Sequence, residues 1–244
     1  MQLSIVVPVR NEAENILPLL AEIHAALESQ GEFEVVYVDD GSTDATPQRL
    51  AEAMQRYPRL RVFAHRVSCG QSTALMTGMR AARGEWIATL DGDGQNDPAD
   101  IPKLLAARDG AAANLQLIAG YRKTRRDSWL KRLSSRIAND VRSRLLGDAT
   151  PDTGCGLKLV ARAVYLQLPF FDHMHRFLPA LVQRSGGATI SVEVNHRPRT
   201  RGASNYGLFD RLWVGIVDLG GVMWLRRRNR RPEIRELVRD EKRA

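Results

Sequence analysis

Residues 85–98 read Glu-Trp-Ile-Ala-Thr-Leu-Asp-Gly-Asp-Gly-Gln-Asn-Asp-Pro. Asp91, Asp93 and Asp97 fall close together there, and Gly92 and Gly94 let the backbone turn sharply between them. Two carboxylates on such a turn, two residues apart, can face the same way and share a hard divalent cation. Such a cation takes oxygen ligands and is completed by the phosphates of a substrate. The alternative is a polar turn whose aspartates only cap the next helix. A second acidic cluster, Asp39-Asp40-Gly41-Ser42-Thr43-Asp44, follows another apolar run. Carboxylates repel phosphate unless a cation intervenes, so this pattern points to a metal-bridged diphosphate. Asp39 or Asp40 would then be free to hydrogen-bond base or ribose edges. There is no G-x-G-x-x-G after the first apolar run and no G-x-x-x-x-G-K-[ST], which argues against dinucleotide and P-loop enzymes.

These clusters need strands to present them. Leu3 to Val9 is a nearly continuous β-branched run, and residues 33–38, 60–64 and 86–90 are further short apolar runs bounded by turn formers. Between them, Ile16, Leu20, Ile23 and Leu27 recur at helical spacing, Leu50 and Met54 mark a second helix, and residues 70–83 read as a third. Asn11 with Glu14 resembles a capping pair for the first helix, and Asp44 is a cap candidate for the second. This β-α-β-α alternation predicts an α/β fold, a mostly parallel sheet with helices on both faces, whose ligands sit at the carboxyl ends of strands. Further on, residues 115–119 form another short strand, residues 129–146 a helix, and residues 189–194 a β-prone stretch.

The chain has 244 residues, 43% hydrophobic and 26% charged, the size of one globular domain with appended elements. Its two cysteines give neither a disulfide framework nor zinc spacing, so a reducing cytoplasm is expected, and no segment reads as a transmembrane span or signal peptide. Cys155 reads as a small packing residue, and His173 and His175 as a polar helix entry rather than a metal pair. The net charge of +8 is concentrated between Arg122 and Arg144 and again from Arg226 to Arg231. Such clusters suit an anionic partner: nucleic acid, an acidic membrane face or a phosphorylated substrate; plain solubilising charge is the alternative.

Val7-Pro8-Val9-Arg10-Asn11-Glu12, the Asp39–Asp44 cluster and Asp91-Gly92-Asp93-Gly94-Gln95-Asn96-Asp97-Pro98 resemble the successive motifs of glycosyltransferase family 2, closest to its dolichyl- and polyprenyl-phosphate mannosyltransferases. The resemblance covers roughly the first 205 residues. It implies a GT-A fold, a nucleotide-sugar donor, inversion at the sugar carbon, and a divalent cation, Mg2+ or Mn2+. By the same resemblance Pro8, Asn11, Glu12 and Asp39 line the nucleotide pocket, and Asp91, Asp93 and Gln95 hold metal and diphosphate. Arg122 fits a slot that delivers an arginine toward a donor or acceptor phosphate. Residues 152–158, Asp-Thr-Gly-Cys-Gly-Leu-Lys, resemble the acceptor-side motif, with Asp152 shaping that site and glycines that let backbone approach a ligand. Residues 196–206 resemble the H-x-x-R-x-x-G-x-S-x-Y loop that closes over the donor; Arg199 and Ser204 match it, while Asn205 stands where many relatives carry lysine.

Residues 208–225 place Phe209, Leu212, Trp213, Ile216, Val217, Gly220, Met223 and Trp224 on one helical face and run into arginines. That suits an interfacial membrane helix, with packing onto the domain's own core as the competing reading. The expected organisation is a GT-A domain over 1–206, an amphipathic helix and basic run over 207–231, and a charged tail over 232–244. The expected activity is inverting transfer of a sugar from a nucleotide-diphosphate donor to a polyprenyl or dolichyl phosphate, by a cytoplasmic protein peripherally bound to an anionic membrane surface. A family 2 enzyme with a hydroxyl acceptor is the alternative. A nucleic-acid-binding protein is the remote one, disfavoured because strand-end aspartates repel a polyanion.

Overall fold

A strand covered on both faces has no use for polar alternation. In the computed structural model of the chain, every residue of β1 (Leu3–Val9) and β2 (Phe33–Asp39) is buried. The structure describes residues 2–122, 142–148, 150–198 and 208–230, with side chains of the last stretch from Val214 onward. The remaining strands are β3 (Leu60–Ala64), β4 (Trp86–Thr89), β5 (Leu115–Arg122), β6 (Lys158–Ala161) and β7 (Ala188–Val194). They form one seven-stranded sheet in the order β3-β2-β1-β4-β6-β5-β7. All pairings are parallel except those of β6, which runs antiparallel to both β4 and β5.

Helices cover both faces. On one, α1 (Ile16–Leu27), α2 (Thr46–Arg56) and α4 (Ile101–Asp109) pack Leu20, Ile23, Leu50, Ile101 and Leu104 over Ile5, Val7, Val35 and Tyr37. On the other, α3 (Gln71–Ala81), α5 (Arg162–Gln167), α6 (Leu178–Arg184) and α7 (Leu208–Arg227) enclose Val6, Val36, Ile87 and Val160. The parallel strands β1, β2 and β4 all end at one edge, which carries the loops beginning at Arg10, Asp40 and Leu90. Because β6 is reversed, it begins at that edge: Lys158 lies opposite both Thr89 and Ala119. The segment before it, 152–157, therefore joins the loops of β1, β2 and β4.

Several expectations need correcting. β6 was not anticipated, and β5 runs on past Ala119 to Arg122, which is the strand's last residue. Asn11 does not cap α1, which begins at Ile16 after Asn15; it adopts a left-handed conformation with φ 56°. Arg142, expected on a surface, is buried and paired with Asp148 and the Thr150 carbonyl. Of the helix expected over 129–146, only 142–146 falls among the described residues, and it is helical.

One face of α7 packs onto the domain's own core. Val222 is fully buried, with Leu219, Met223 and Leu225 packed against the core beside α6, so Met223 leaves the expected outward stripe. Ile216, Val217 and Trp224 remain 54%, 58% and 59% exposed. Among the described residues no helix is long and apolar enough to cross a membrane. Phe209, Leu212 and Trp213 have no described side chains, and the tail from 231 lies outside the described residues.

Candidate active site

Steric need explains the glycines of the acidic turn. A Cβ on Gly92 would come within 2.4 Å of Val9 Cγ1 and 3.0 Å of the Pro8 carbonyl, so glycine lets the turn sit against the end of β1. Gly94 takes a positive φ of 72°. The turn thus sets Asp91 and Asp93 beside Pro8. Asp93 Oδ1 accepts the Gln95 N–H at 3.1 Å, and Asp91 Oδ1 accepts from Gln71 Nε2, at the start of α3, at 2.8 Å. Burial, and then the negative charge of Asp93, push the Asp91 carboxyl upward, against the pull of Lys158 and Arg122. Two carboxylates on one turn, close enough for the charge of one to raise the other, are an oxygen donor set that fits a hard divalent cation. Gln95 lies on the same turn, with its Nε2 directed at the Arg197 carbonyl 3.5 Å away.

The loop after β1 is stitched to the loop after β2. Asn11 Oδ1 accepts the Thr43 N–H at 2.8 Å, Asn11 N–H donates to Ser42 Oγ, and Glu12 N–H donates to Thr46 Oγ1, both at 2.9 Å. Asp44 accepts the Thr46 N–H, so it does cap the start of α2. Asp39 and Asp40 differ in how fully their carboxylates are engaged. Asp40 is saturated by His65 Nδ1, Ser68 Oγ and the N–H groups of Cys69 and Gly70. Burial would raise its carboxyl, but those hydrogen bonds bring it below the usual range. Asp39 Oδ1 accepts from Ser42 N–H and Oγ, and among the described residues no donor reaches its Oδ2. Asp40, His65 and Cys69 bring ligand-type atoms within 4.8 Å of one another. However, Thr77 Oγ1 engages the other His65 nitrogen, so this cluster is a hydrogen-bonded knot at the start of α3.

Across the turn lies the 152–158 segment. Asp152 grips Arg122 in a fork: Nε donates to Oδ2 at 2.6 Å and Nη2 to Oδ1 at 3.0 Å. Desolvation opposes the Arg122 charge, but the Asp152 hydrogen bond and charge hold it firmly protonated. Arg122 and Asp152, expected as separate site residues, are one unit. Gly156 has a role other than the expected approach to a ligand: its Cβ would strike Asp91 Oδ2 at 2.2 Å and Asn96 Oδ1 at 2.7 Å. The absence of a side chain there lets the acceptor-side segment press against the acidic carboxylate. Cys155 is buried with its thiol pushed up by desolvation, as suits a packing residue.

Two residues of this region, Gln71 and Lys158, escaped the sequence reading. Gln71 orients Asp91. Lys158 is a buried ammonium that donates to the Cys155 carbonyl, lowered by burial while Cys155, Asp91 and Asp152 favour its charge. His175, expected in a polar helix entry, is half-buried and shares a 2.7 Å hydrogen bond with Ser72 Oγ, whereas His173 pairs with Asp218 on α7, so the two histidines serve different contacts. A lysine heading an apolar run was the one visible signal. Arg199 and Ser204 lie outside the described residues.

A mostly parallel sheet with an Asp-x-Asp turn, a second acidic loop and a paired arginine at one edge is the GT-A type of architecture. The description "Glycosyl transferase family 2" matches residues 4–168, and the chain belongs to that family. It is 38% identical over 242 residues to the dodecaprenyl-phosphate galacturonate synthase of Rhizobium johnstonii, covering 95% of this chain and 69% of that protein. It is 36% identical over 208 residues to the undecaprenyl-phosphate 4-deoxy-4-formamido-L-arabinose transferase of Edwardsiella ictaluri, covering 84% of this chain and 63% of that one. Among solved structures, glucosyl-3-phosphoglycerate synthase from Mycobacterium tuberculosis with phosphoglyceric acid superposes with a TM-score of 0.67 at 19% identity, over 92% of this chain and 79% of that one. The same enzyme with Mn2+, UDP-glucose and glycerol 3-phosphate gives 0.66 over the same shares. These likenesses speak for the fold.

Proposed function

We propose that this glycosyltransferase transfers a sugar, with inversion, from a nucleotide-diphosphate donor to a polyprenyl phosphate. The observation that carries the reading is the contact of Gly156 with Asp91, which brings the Arg122–Asp152 pair and the acidic turn into one site. The relatives named for dodecaprenyl- and undecaprenyl-phosphate support that acceptor class. A divalent cation, magnesium or manganese, would be held by Asp91 and Asp93 with Gln95 alongside, and would neutralise the departing diphosphate.

The chain's own residues do the rest. Pro8, Asn11 and Glu12 shape the nucleotide side, and the spare oxygen of Asp39 suits a ribose or base edge. A phosphate monoester has a second pKa near roughly 6, so at neutral pH the acceptor is already largely a dianion. It needs orientation and charge compensation rather than a base. Arg122 has donors beyond the two that Asp152 takes, and with Arg199 it is assigned that work. Asp152 also accepts from the N–H groups of Gly154 and Arg122, so its carboxylate is committed to structure, which disfavours a hydroxyl acceptor needing it as base. The exposed apolar face of α7 and the arginines that end it suit peripheral attachment to an anionic membrane surface on the cytoplasmic side. No nucleic-acid partner is proposed.

A donor panel of nucleotide sugars, assayed with and without a short polyprenyl phosphate and with and without Mn2+ or Mg2+, tests the reading. Transfer should need the lipid phosphate and the metal, and Asp93→Ala should abolish the metal-dependent part. Metal-independent transfer, or transfer to a hydroxyl acceptor in the absence of lipid phosphate, would overturn it.

A further inference from the structure

Beyond β7 the chain doubles back along the acidic turn. Asn195 donates from its backbone N and from Nδ2 to the Asp100 carboxylate at 2.6 and 3.3 Å, and Asn96 pairs with His196 in an isolated antiparallel bridge. Arg197 N–H donates to the Gln95 carbonyl at 3.0 Å. The Arg197 side chain completes the strap: Nη2 meets Asp97 Oδ1 at 2.7 Å, and Nη1 meets Glu22 Oε2 on α1 at 2.6 Å. One guanidinium therefore joins the far end of the turn to a helix on the sheet's face.

On its Gly94 side the turn faces open space. Among the described residues, a cavity of about 340 Å³ opens between it and α1, lined by Asn15, Leu19, Glu22, Gly94 and Arg197 among others. Gly92 is held against the end of β1, but the Gly94 side of the turn faces that open space, and the charges of Asp91 and Asp93 repel one another. We propose that Arg197 is a positioning residue that clamps the acidic turn to α1 and so sets its affinity for the divalent cation. The proposal rests on Asp91 and Asp93 being the cation's ligands. Exposed ion pairs add little to global stability, so the clamp's effect falls on the turn and not on the fold.

The test compares wild type with Arg197→Ala, Arg197→Lys, Glu22→Gln and Asp97→Asn. Free Mn2+ is followed by paramagnetic resonance in the presence of uridine or guanosine diphosphate, with thermal midpoint and metal-free nucleotide binding measured alongside. Arg197→Ala should weaken Mn2+ binding about tenfold, the low end of what a lost supporting partner costs a metal site. Its midpoint and metal-free nucleotide binding should stay near wild type. Lysine should rescue only in part, because a point charge cannot span both carboxylates. Glu22→Gln and Asp97→Asn should each show part of the loss and add nothing in the Arg197→Ala background. Should Arg197→Ala not fold, those two single variants decide on the same terms. Mn2+ affinity within twofold of wild type overturns the clamp, as does a loss matched by falling midpoint and metal-free binding. A wild type that takes up no Mn2+ with either nucleotide overturns the cation reading as well.

Discussion

Replacing Asp152 with asparagine removes one charge from a pair that the fold has taken out of water. The two side chains are only 5% and 15% exposed, and the fork closes at 2.6 and 3.0 Å. Removing one partner of a buried pair costs about 3–5 kcal/mol, because the other charge is left uncompensated. Asparagine keeps one oxygen for the fork and for Gly154 N–H, so the low end applies, about 3 kcal/mol. In a chain of this size that amounts to a fall in thermal midpoint of about 6–12 °C. Scanning calorimetry of Asp152→Asn, Arg122→Met and the double variant measures it, and in the Arg122→Met background the asparagine should cost little. Single-turnover transfer in Asp152→Asn, measured below its midpoint, should fall by less than about 100-fold, since loss of a general base costs about 10²–10⁴. A midpoint indistinguishable from wild type would refute the stability argument. A stable variant whose transfer falls by about 10⁴ would make Asp152 the base of a hydroxyl-acceptor enzyme.

Gly156→Ala puts a methyl group 2.2 Å from Asp91 Oδ2 and so must displace that carboxylate. Transfer should drop at least about 100-fold, as for other small misplacements of reacting groups, with metal-assisted nucleotide binding lost alongside; near-normal isotherms would count against the contact. Burial first, and then the charges of Lys158, Arg176 and His173, hold the His175 imidazole well below its ordinary pKa. Below a pH of about 6.5 the unfolded chain takes a proton that the folded one refuses, so stability falls as pH drops from there toward the folded pKa, by up to about 1.4 kcal/mol per unit. His175→Asn should flatten that slope in urea titrations, and parallel slopes would remove His175 as its source. On α7, Trp224→Ser should weaken partitioning onto anionic vesicles by up to about 3 kcal/mol. Glutamine at Arg227 and Arg228 should each remove about 1 kcal/mol and blunt the salt dependence; unchanged co-sedimentation would sever α7 from the membrane.

Local pattern was enough wherever one residue's neighbours in sequence are also its neighbours in space. The largely apolar β1 and β2, the helical spacing of Ile16, Leu20, Ile23 and Leu27, and the glycine-hinged carboxylates of the acidic turn all belong to that kind. Contacts across the chain were not legible. Asp40 and Asp39 are adjacent and chemically alike, and only donors arriving from His65 to Gly70 separate the saturated one from the available one. Asn11 looks like a cap because its partner, the Thr43 N–H, is 32 residues away. β6 is short and headed by a lysine, so nothing in its own residues announces a strand; β4 and β5 on either side make it one. Met223 matched the outward stripe of α7, yet the helix rolls so that it meets the core.

The reversed strand β6 has a consequence for how such a chain can vary. Residues assigned to the nucleotide lie on β1, β2 and β4 and their loops, all before residue 100, whereas Arg122 and Asp152 come after it. The two halves interlock at a small seam: Gly156 against Asp91, Asn96 Nδ2 toward Cys155 Sγ at 3.8 Å, and Thr89 Oγ1 donating to the Gly156 carbonyl at 2.6 Å. A chimera cut after α4, taking its second half from a relative with another acceptor, would keep the donor preference of the first half so long as those three contacts, the β4–β6 pairing and the Arg197 link to Glu22 and Asp97 are matched across the junction.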